Sequence, residues 1–324
     1  MVHNNKAKEF INIMLTGASQ VTFNTRPLCG LLLLVALAVA SPYLLVSCLW
    51  SLIVATVTIY IFNLPKDIAG QGLYTINSAL AGVAVPLAAY QYPTYESNML
   101  GVLVLISVVS VLSVILTYWM KRKLDPIGAS PLAIPYSIAL AFMSMVCTHT
   151  GCLNTNSMFA PTDLKVYILQ DVTYTLGDIA TAFLHGAAQI FWIEDVPLTK
   201  ISGVIILIAV LTASRSDFFI AGYSILISTA VAVIFGVDPG GVMLGLYGFG
   251  GALMGLALLN ITFEKNLKNL MLITGLLVVN VFFTAILRAM CTAIGISVAA
   301  FAWAVLTIIV MIIKNKSDKK KVEK

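Results

Sequence analysis

Gly72-Leu73-Tyr74-Thr75-Ile76-Asn77-Ser78-Ala79-Leu80-Ala81-Gly82-Val83-Ala84 returns later in the chain as Gly245-Leu246-Tyr247-Gly248-Phe249-Gly250-Gly251-Ala252-Leu253-Met254-Gly255-Leu256-Ala257. Gly, Leu, Tyr, Ala, Leu, Gly and Ala hold matching places, at an offset of 173 residues. A second pair lies upstream. Leu15-Thr16-Gly17-Ala18-Ser19-Gln20 matches Leu184-His185-Gly186-Ala187-Ala188-Gln189 at an offset of 169. A glutamine segment followed by a glycine-leucine-tyrosine segment, in that order twice, marks an internal duplication.

The composition fixes the setting. Of 324 residues, 60% are hydrophobic and only 10% are charged, against about 25% charged in soluble domains. Runs such as Leu28 to Cys48, Met99 to Trp119, Phe218 to Val237 and Thr292 to Ile313 approach the roughly 20 residues that cross a bilayer as a helix. Sustained two-residue alternation is absent, which excludes a barrel. The first apolar run begins near residue 28 and more follow it, which makes a cleaved leader a poor reading.

The expected fold class is therefore an all-α integral membrane protein of about ten transmembrane helices. Spans are expected near 28–47, 48–63, 72–90, 98–119, 131–147, 201–214, 218–237, 243–260, 270–287 and 291–313. Two short helices, Glu9 to Gln20 and Asp178 to Gln189, precede the two sets of five, each opening on an acidic residue that suits a helix N-terminus. With ten spans, sixteen of the nineteen Lys and Arg fall on the side of the termini; Lys165, Lys200 and Arg288 fall on the other. That bias puts both termini in the cytoplasm of a multi-pass cell-membrane protein. Five spans per set make the duplication inverted. The expected divisions are 1–147 and 178–313 as the two inverted repeats, 148–177 as an external connection, and 314–324 as a disordered, basic cytoplasmic tail.

No catalytic constellation is present, so the chain is not read as an enzyme. No metal-ligand cluster or nucleotide loop occurs, and no cofactor is expected. The +5 charge sits between spans and in the tails, so it does not signal nucleic acid. His3, His149 and His185 do not form a pair facing one pore, as ammonium conduction by histidines requires. Cysteines 29, 48, 147, 152 and 291 read as small buried hydrophobes; whether Cys147 and Cys152 pair is open. Acidic residues avoid the span centres, whereas intramembrane charges mark coupled pathways. Passive conduction of a neutral solute follows.

Glycines in the repeated stretches serve close helix packing, yet their paired, inverted placement points to a site at the midplane. A 12-residue helix is about 18 Å long, roughly half a bilayer. Two such helices meeting from opposite sides would present Gln20, Gln189 and unpaired carbonyls to a polar path.

In these residues the chain resembles the channel-type urea transporters. The resemblance lies in Gln20-Val21-Thr22-Phe23 followed by Pro27 and Gly30, in Gly72-Leu73-Tyr74 with Asn77, Leu80 and Gly82, and in Gly245-Leu246-Tyr247-Gly248-Phe249 with Leu253 and Gly255. It implies a homotrimer in membrane lipid, one pore per subunit, and a filter in which aromatic rings flank urea while oxygens accept its amide hydrogens. It implies Gln20 and Gln189 as the polar pair and Val21 and Ile190 as their neighbours. Phe23, Leu80, Phe249 and Leu253 become wall residues, and Thr292 a pore threonine. Ile76 stands where the family carries an aromatic, and Trp192 corresponds to Phe23. Gly250 replaces the asparagine kept as Asn77, and Ala133 stands for a threonine. Alternatives are a related small neutral amide or ammonia as solute, a coupled secondary transporter, or a scaffold with a closed pore.

Overall fold

The computed structural model describes residues 2–89, 99–150, 168–193, 196, 198–293 and 300–322. Those residues form helices and connections, with no strand among them. Seven helices come first: α1 (Val2–Ser19), α2 (Pro27–Ala40), α3 (Pro42–Ile61), α4 (Lys66–Gly70), α5 (Ile76–Ala89), α6 (Met99–Leu124) and α7 (Ile134–Thr150). Seven more follow in the same order of long and short pieces: α8 (Leu176–Gln189), α9 (Thr199–Ala213), α10 (Arg215–Ile234), α11 (Pro239–Met243), α12 (Leu246–Ala257), α13 (Leu267–Ala293) and α14 (Phe301–Val322).

The breaks match as well as the helices. Ser41 and Ser214 are extended, at φ −162° and −160°, and each separates two helices. Pro65 and Pro239 stand at the start of the matching short helices α4 and α11. Phe23 and Trp192 both have φ +57°, and Gly72 and Gly245 have φ +76° and +79°. Thr175 and Asp178 form a reciprocal capping box that starts α8.

Close approach requires glycine at two equivalent places. A Cβ on Gly30 of α2 would overlap the Leu15 carbonyl of α1, and one on Gly203 of α9 would overlap the Leu184 carbonyl of α8. α1 and α8 are thereby brought to backbone distance from the helix that follows each. The two sets meet where α9 packs on α2: the Ser202 hydroxyl donates to the Ala36 carbonyl at 2.9 Å.

Among the described residues, four helices are long and apolar enough to cross a membrane: Pro42–Ile61, Met99–Ile127, Arg215–Ile234 and Leu267–Cys291. A fifth span arises if Lys6–Thr22 and Pro27–Ala40, bent by 78°, count as one. Ile76–Ala88, Ile134–Val146, Thr199–Ala213 and Leu246–Thr262 are apolar but shorter. Outward-facing Leu100, Phe219, Ile234 and Met271 are at least 70% exposed, as expected of side chains that face lipid rather than water.

Several expected boundaries move. The first two spans divide at Ser41, not near residue 47, because Ser41-Pro42 ends one helix and starts the next. Glu9 does not open α1, which begins seven residues earlier. Residues 314–322 are not a disordered tail. They continue α14, with Lys314 paired to Asp318 at 2.6 Å and Asn315 packed against Gly128. An i,i+4 pair and good helix formers are enough to extend a helix that is already anchored. Cys147 at its side chain, and Cys152 entirely, lie outside the described residues, so their pairing does too. Cys29, Cys48 and Cys291 are free.

Candidate functional site

The site grows from the ends of α1 and α8. After α1, residues Gln20–Thr22 make a 3-10 turn, and Phe23 closes it in the left-handed region with its N–H on the Gln20 carbonyl at 2.9 Å. After α8, Trp192 does the same, its N–H on the Gln189 carbonyl at 2.9 Å. A left-handed aromatic residue is costly and is kept only where its surroundings demand it. The helix-end carbonyls at Gln20 and Gln189 are therefore not unpaired, as the sequence suggested. The turn uses one lone pair of each, and a carbonyl has a second.

The two glutamines differ in their partners. Gln20 donates from Nε2 to the Gln71 carbonyl at 2.8 Å. A carbonyl can only accept, so the nitrogen must face it, and Oε1 keeps its acceptor capacity. Gln189 is 1% exposed, and both Nε2 and Oε1 lack a partner among the described residues. Leaving such groups unmade costs roughly 1–3 kcal/mol. An amide held in that state suits a guest that supplies the missing bonds.

A cavity of about 420 Å³ opens at Gln20. Its wall includes Phe23, Ile76, Asn77, Thr117 and Leu132, with Lys121 and Asp125 toward one end. Asn77 is fully buried and well held: Nδ2 donates to the Thr117 hydroxyl and the Leu132 carbonyl, both at 3.1 Å, and Oδ1 accepts from the Tyr136 N–H at 3.4 Å. Asn260 and Ile261 reach the cavity from a π-helical turn, Leu258–Thr262, that continues α12.

The structure brings Gln20, Phe23 and Ile76 together on this cavity. Val21, Ile76, Leu80, Ile190, Trp192, Phe249 and Leu253 share one buried apolar cluster beside it. Leu80 lies one turn beyond Ile76 on α5, and Leu253 one turn beyond Phe249 on α12, so each pair lies along one helix face. Gln189, Ile190, Trp192, Phe249 and Leu253 do not line the 420 Å³ cavity. The side chain of Thr292 lies outside the described residues. Ala133, where a hydroxyl is missing, is buried.

Two aromatic residues escaped the sequence reading. Tyr136 meets Trp192 edge to face at 6.3 Å, and Trp192 meets Phe249 at 6.0 Å. Trp303 meets Phe23 edge to face at 6.2 Å. Tyr136 and Trp303 are the third residues of α7 and α14. The signal was there in Ile134-Pro135-Tyr136 and Phe301-Ala302-Trp303, but without flanking identity it does not read as a repeat. The result is an edge-to-face aromatic pair at the turn after each of α1 and α8.

Among the described residues no group of three His, Cys, Asp or Glu could hold a metal. The buried Asp217 is paired with Lys265 at 2.6 Å, at the start of α10.

The sequence model of the urea transporter family matches residues 11–315. Sheep (Ovis aries) urea transporter 1 is 24% identical over 258 residues, which are 78% of this chain and 64% of that protein. Goat (Capra hircus) urea transporter 1 matches to the same extent. Mouse (Mus musculus) urea transporter 1 is 20% identical over 314 residues, 95% of this chain and 78% of that one. The chain spans slightly less than two thirds of the sheep and goat relatives' length. With nearly all of its own residues inside the matched region, the chain belongs to the urea transporter family.

Proposed function

We propose that the chain carries urea passively down its gradient, through a path between the ends of α1 and α8. The observation that carries this reading is the matched pair of turns at Gln20-Phe23 and Gln189-Trp192. Each joins an amide with acceptor capacity to an edge-on aromatic pair. Urea is flat and neutral, with four N–H donors and one carbonyl. Oxygens at Gln20 and Gln189 replace water for its donors, and the rings cover its faces. Lys121 and Asp125 at the cavity are paired with each other, so a hydrated ion finds no unpaired countercharge there, and losing its water is prohibitive.

The accompanying architecture is ten membrane crossings in two inverted repeats, residues 1–147 and 178–313, joined through an external connection at 148–177. The repeated left-handed positions and the equivalent close approaches at Gly30 and Gly203 support it. The sixteen-to-three bias of basic residues supports cytoplasmic termini in a cell membrane. The family resemblance adds a homotrimer with one path per subunit. Gln20, Val21, Phe23, Ile76, Leu80, Gln189, Ile190, Trp192, Phe249, Leu253 and Thr292 line that path.

Stopped-flow measurements on proteoliposomes with urea, formamide, ammonia and water test the solute. Urea permeation well above that of protein-free liposomes is expected. Collapse of a proton or sodium gradient is expected to leave the urea flux unchanged, because the ionisable side chains that line the cavity, Lys121 and Asp125, are already paired with each other at 2.9 Å. Flux that stops with the gradient would instead require coupling.

A further inference from the structure

The two halves treat one position differently. Asn77 of α5 corresponds to Gly250 of α12, at the 173-residue offset. In the second half a carboxamide nevertheless occupies the equivalent neighbourhood, supplied from α13 by Asn280. A Cβ placed on Gly250 would lie 3.3 Å from Asn280 Nδ2, and 3.8 Å from the Cβ of Trp303. The amide has moved to the facing helix, and the glycine makes room for it.

The moved amide is not held as Asn77 is. Asn77 makes three hydrogen bonds that fix the start of α7. Asn280 is 1% exposed, and its Nδ2 and Oδ1 lack partners among the described residues. Trp303 is 3% exposed, and its indole Nε1 likewise has no partner among them. Both flank Gly250, and Trp303 stands edge-on to Phe23, which lines the cavity at Gln20. Two unpartnered buried side chains from two helices thus converge beside the proposed path. Native interiors rarely leave such groups unmade without a guest.

We propose that Asn280 and Trp303 form a subsite that reads the carbonyl oxygen of the passing solute. The chemistry is complementary to that of the glutamines. Trp303 Nε1 can only donate, and Asn280 Nδ2 donates as well; together they match the two lone pairs of a urea oxygen. Asn280 Oδ1 accepts one solute N–H. Gln20 and Gln189 read the amide hydrogens, whereas this subsite reads the acceptor. It therefore selects a carbonyl over a thiocarbonyl, since sulfur is a weak acceptor. The inference rests on the urea reading above.

The test compares urea and thiourea fluxes in proteoliposomes containing the full chain. Asn280→Leu keeps similar bulk and removes the amide. Trp303→Phe keeps a ring against Phe23 and removes the donor. Each variant is expected to slow urea by about 10-fold, the effect of one unmade buried hydrogen bond. Thiourea flux should change little, so the urea-to-thiourea ratio falls by nearly the same factor. A ratio equal to wild type in both variants overturns the subsite, even if both fluxes drop, and leaves these groups to a resident water. Melting temperature in detergent separates misfolding from selectivity. If Asn280→Leu does not fold, Trp303→Phe decides alone through the urea-to-thiourea ratio, because the volume lost with the indole's second ring affects both solutes alike whereas the lost donor does not. Wild-type protein that conducts thiourea but not urea sinks the urea reading itself, a result distinct from an unchanged ratio.

Discussion

Gly245→Ala is expected to yield no monodisperse folded protein, or a melting temperature lowered by tens of degrees. Gly245 has φ +79°, where an L side chain costs about 1–2 kcal/mol. Space is the larger difficulty. The new Cβ would overlap the Gly186 nitrogen and the His185 carbonyl carbon and come to 2.7 Å from the Gly186 Cα. Those are backbone atoms, so no rotamer relieves the clash, and α8 and α12 have to part. Overpacking costs about 1–3 kcal/mol or more. With the backbone strain added, the total is about 2–5 kcal/mol or more, which reaches the lower end of a typical domain's whole stability of about 5–15 kcal/mol. Gly275→Ala is the control: nothing lies within 4 Å of its added Cβ, and alanine is favoured in a helix interior by about 0.5–1 kcal/mol. Size-exclusion profiles and melting curves for both variants decide the matter. A Gly245→Ala protein that melts within a few degrees of wild type would contradict the packing of the repeat stretch.

That same glycine shows why the duplication was legible. Gly72 and Gly245 press left-handed turns onto the backbones of α1 and α8 respectively. Only one residue type tolerates the position, so it survives in both halves. Gln20 and Gln189 were legible for the same reason of place, each just before a left-handed aromatic. What stayed hidden depends on contacts between helices distant in sequence. The Asn77-to-Gly250 change reads as a loss in the sequence. In space Asn280, some 30 residues on, brings a carboxamide beside Gly250. Tyr136 and Trp303 were hidden because an edge-on ring contact has no sequence period. Span lengths were misjudged for another reason. Hydropathy cannot see Ser41 turning the chain between two equally apolar helices, nor Asp318 extending α14 through Lys314.

Gln189→Leu is expected to slow urea flux by about 5- to 150-fold while leaving the melting temperature unchanged or higher. The two readouts move apart for one reason. Gln189 is buried with both amide atoms unpartnered among the described residues, so an apolar side chain of similar bulk removes a standing penalty from the resting protein. The passing urea then meets no acceptor there. A donor left unpaired at the barrier costs roughly 1–3 kcal/mol, which converts to the stated range in rate. Gln20→Leu should differ. It slows flux by the same logic, but it also frees the Gln71 carbonyl that Gln20 now satisfies at 2.8 Å, so it destabilises by about 0.5–1.5 kcal/mol. A glutamine that is merely structural predicts the reverse for Gln189: lower stability and wild-type flux. Urea flux at matched protein density, with melting curves on the same preparations, separates the two. Wild-type flux through Gln189→Leu, at any melting temperature, would take this residue out of the path and leave Gln20 as the only amide of the pair that meets the solute.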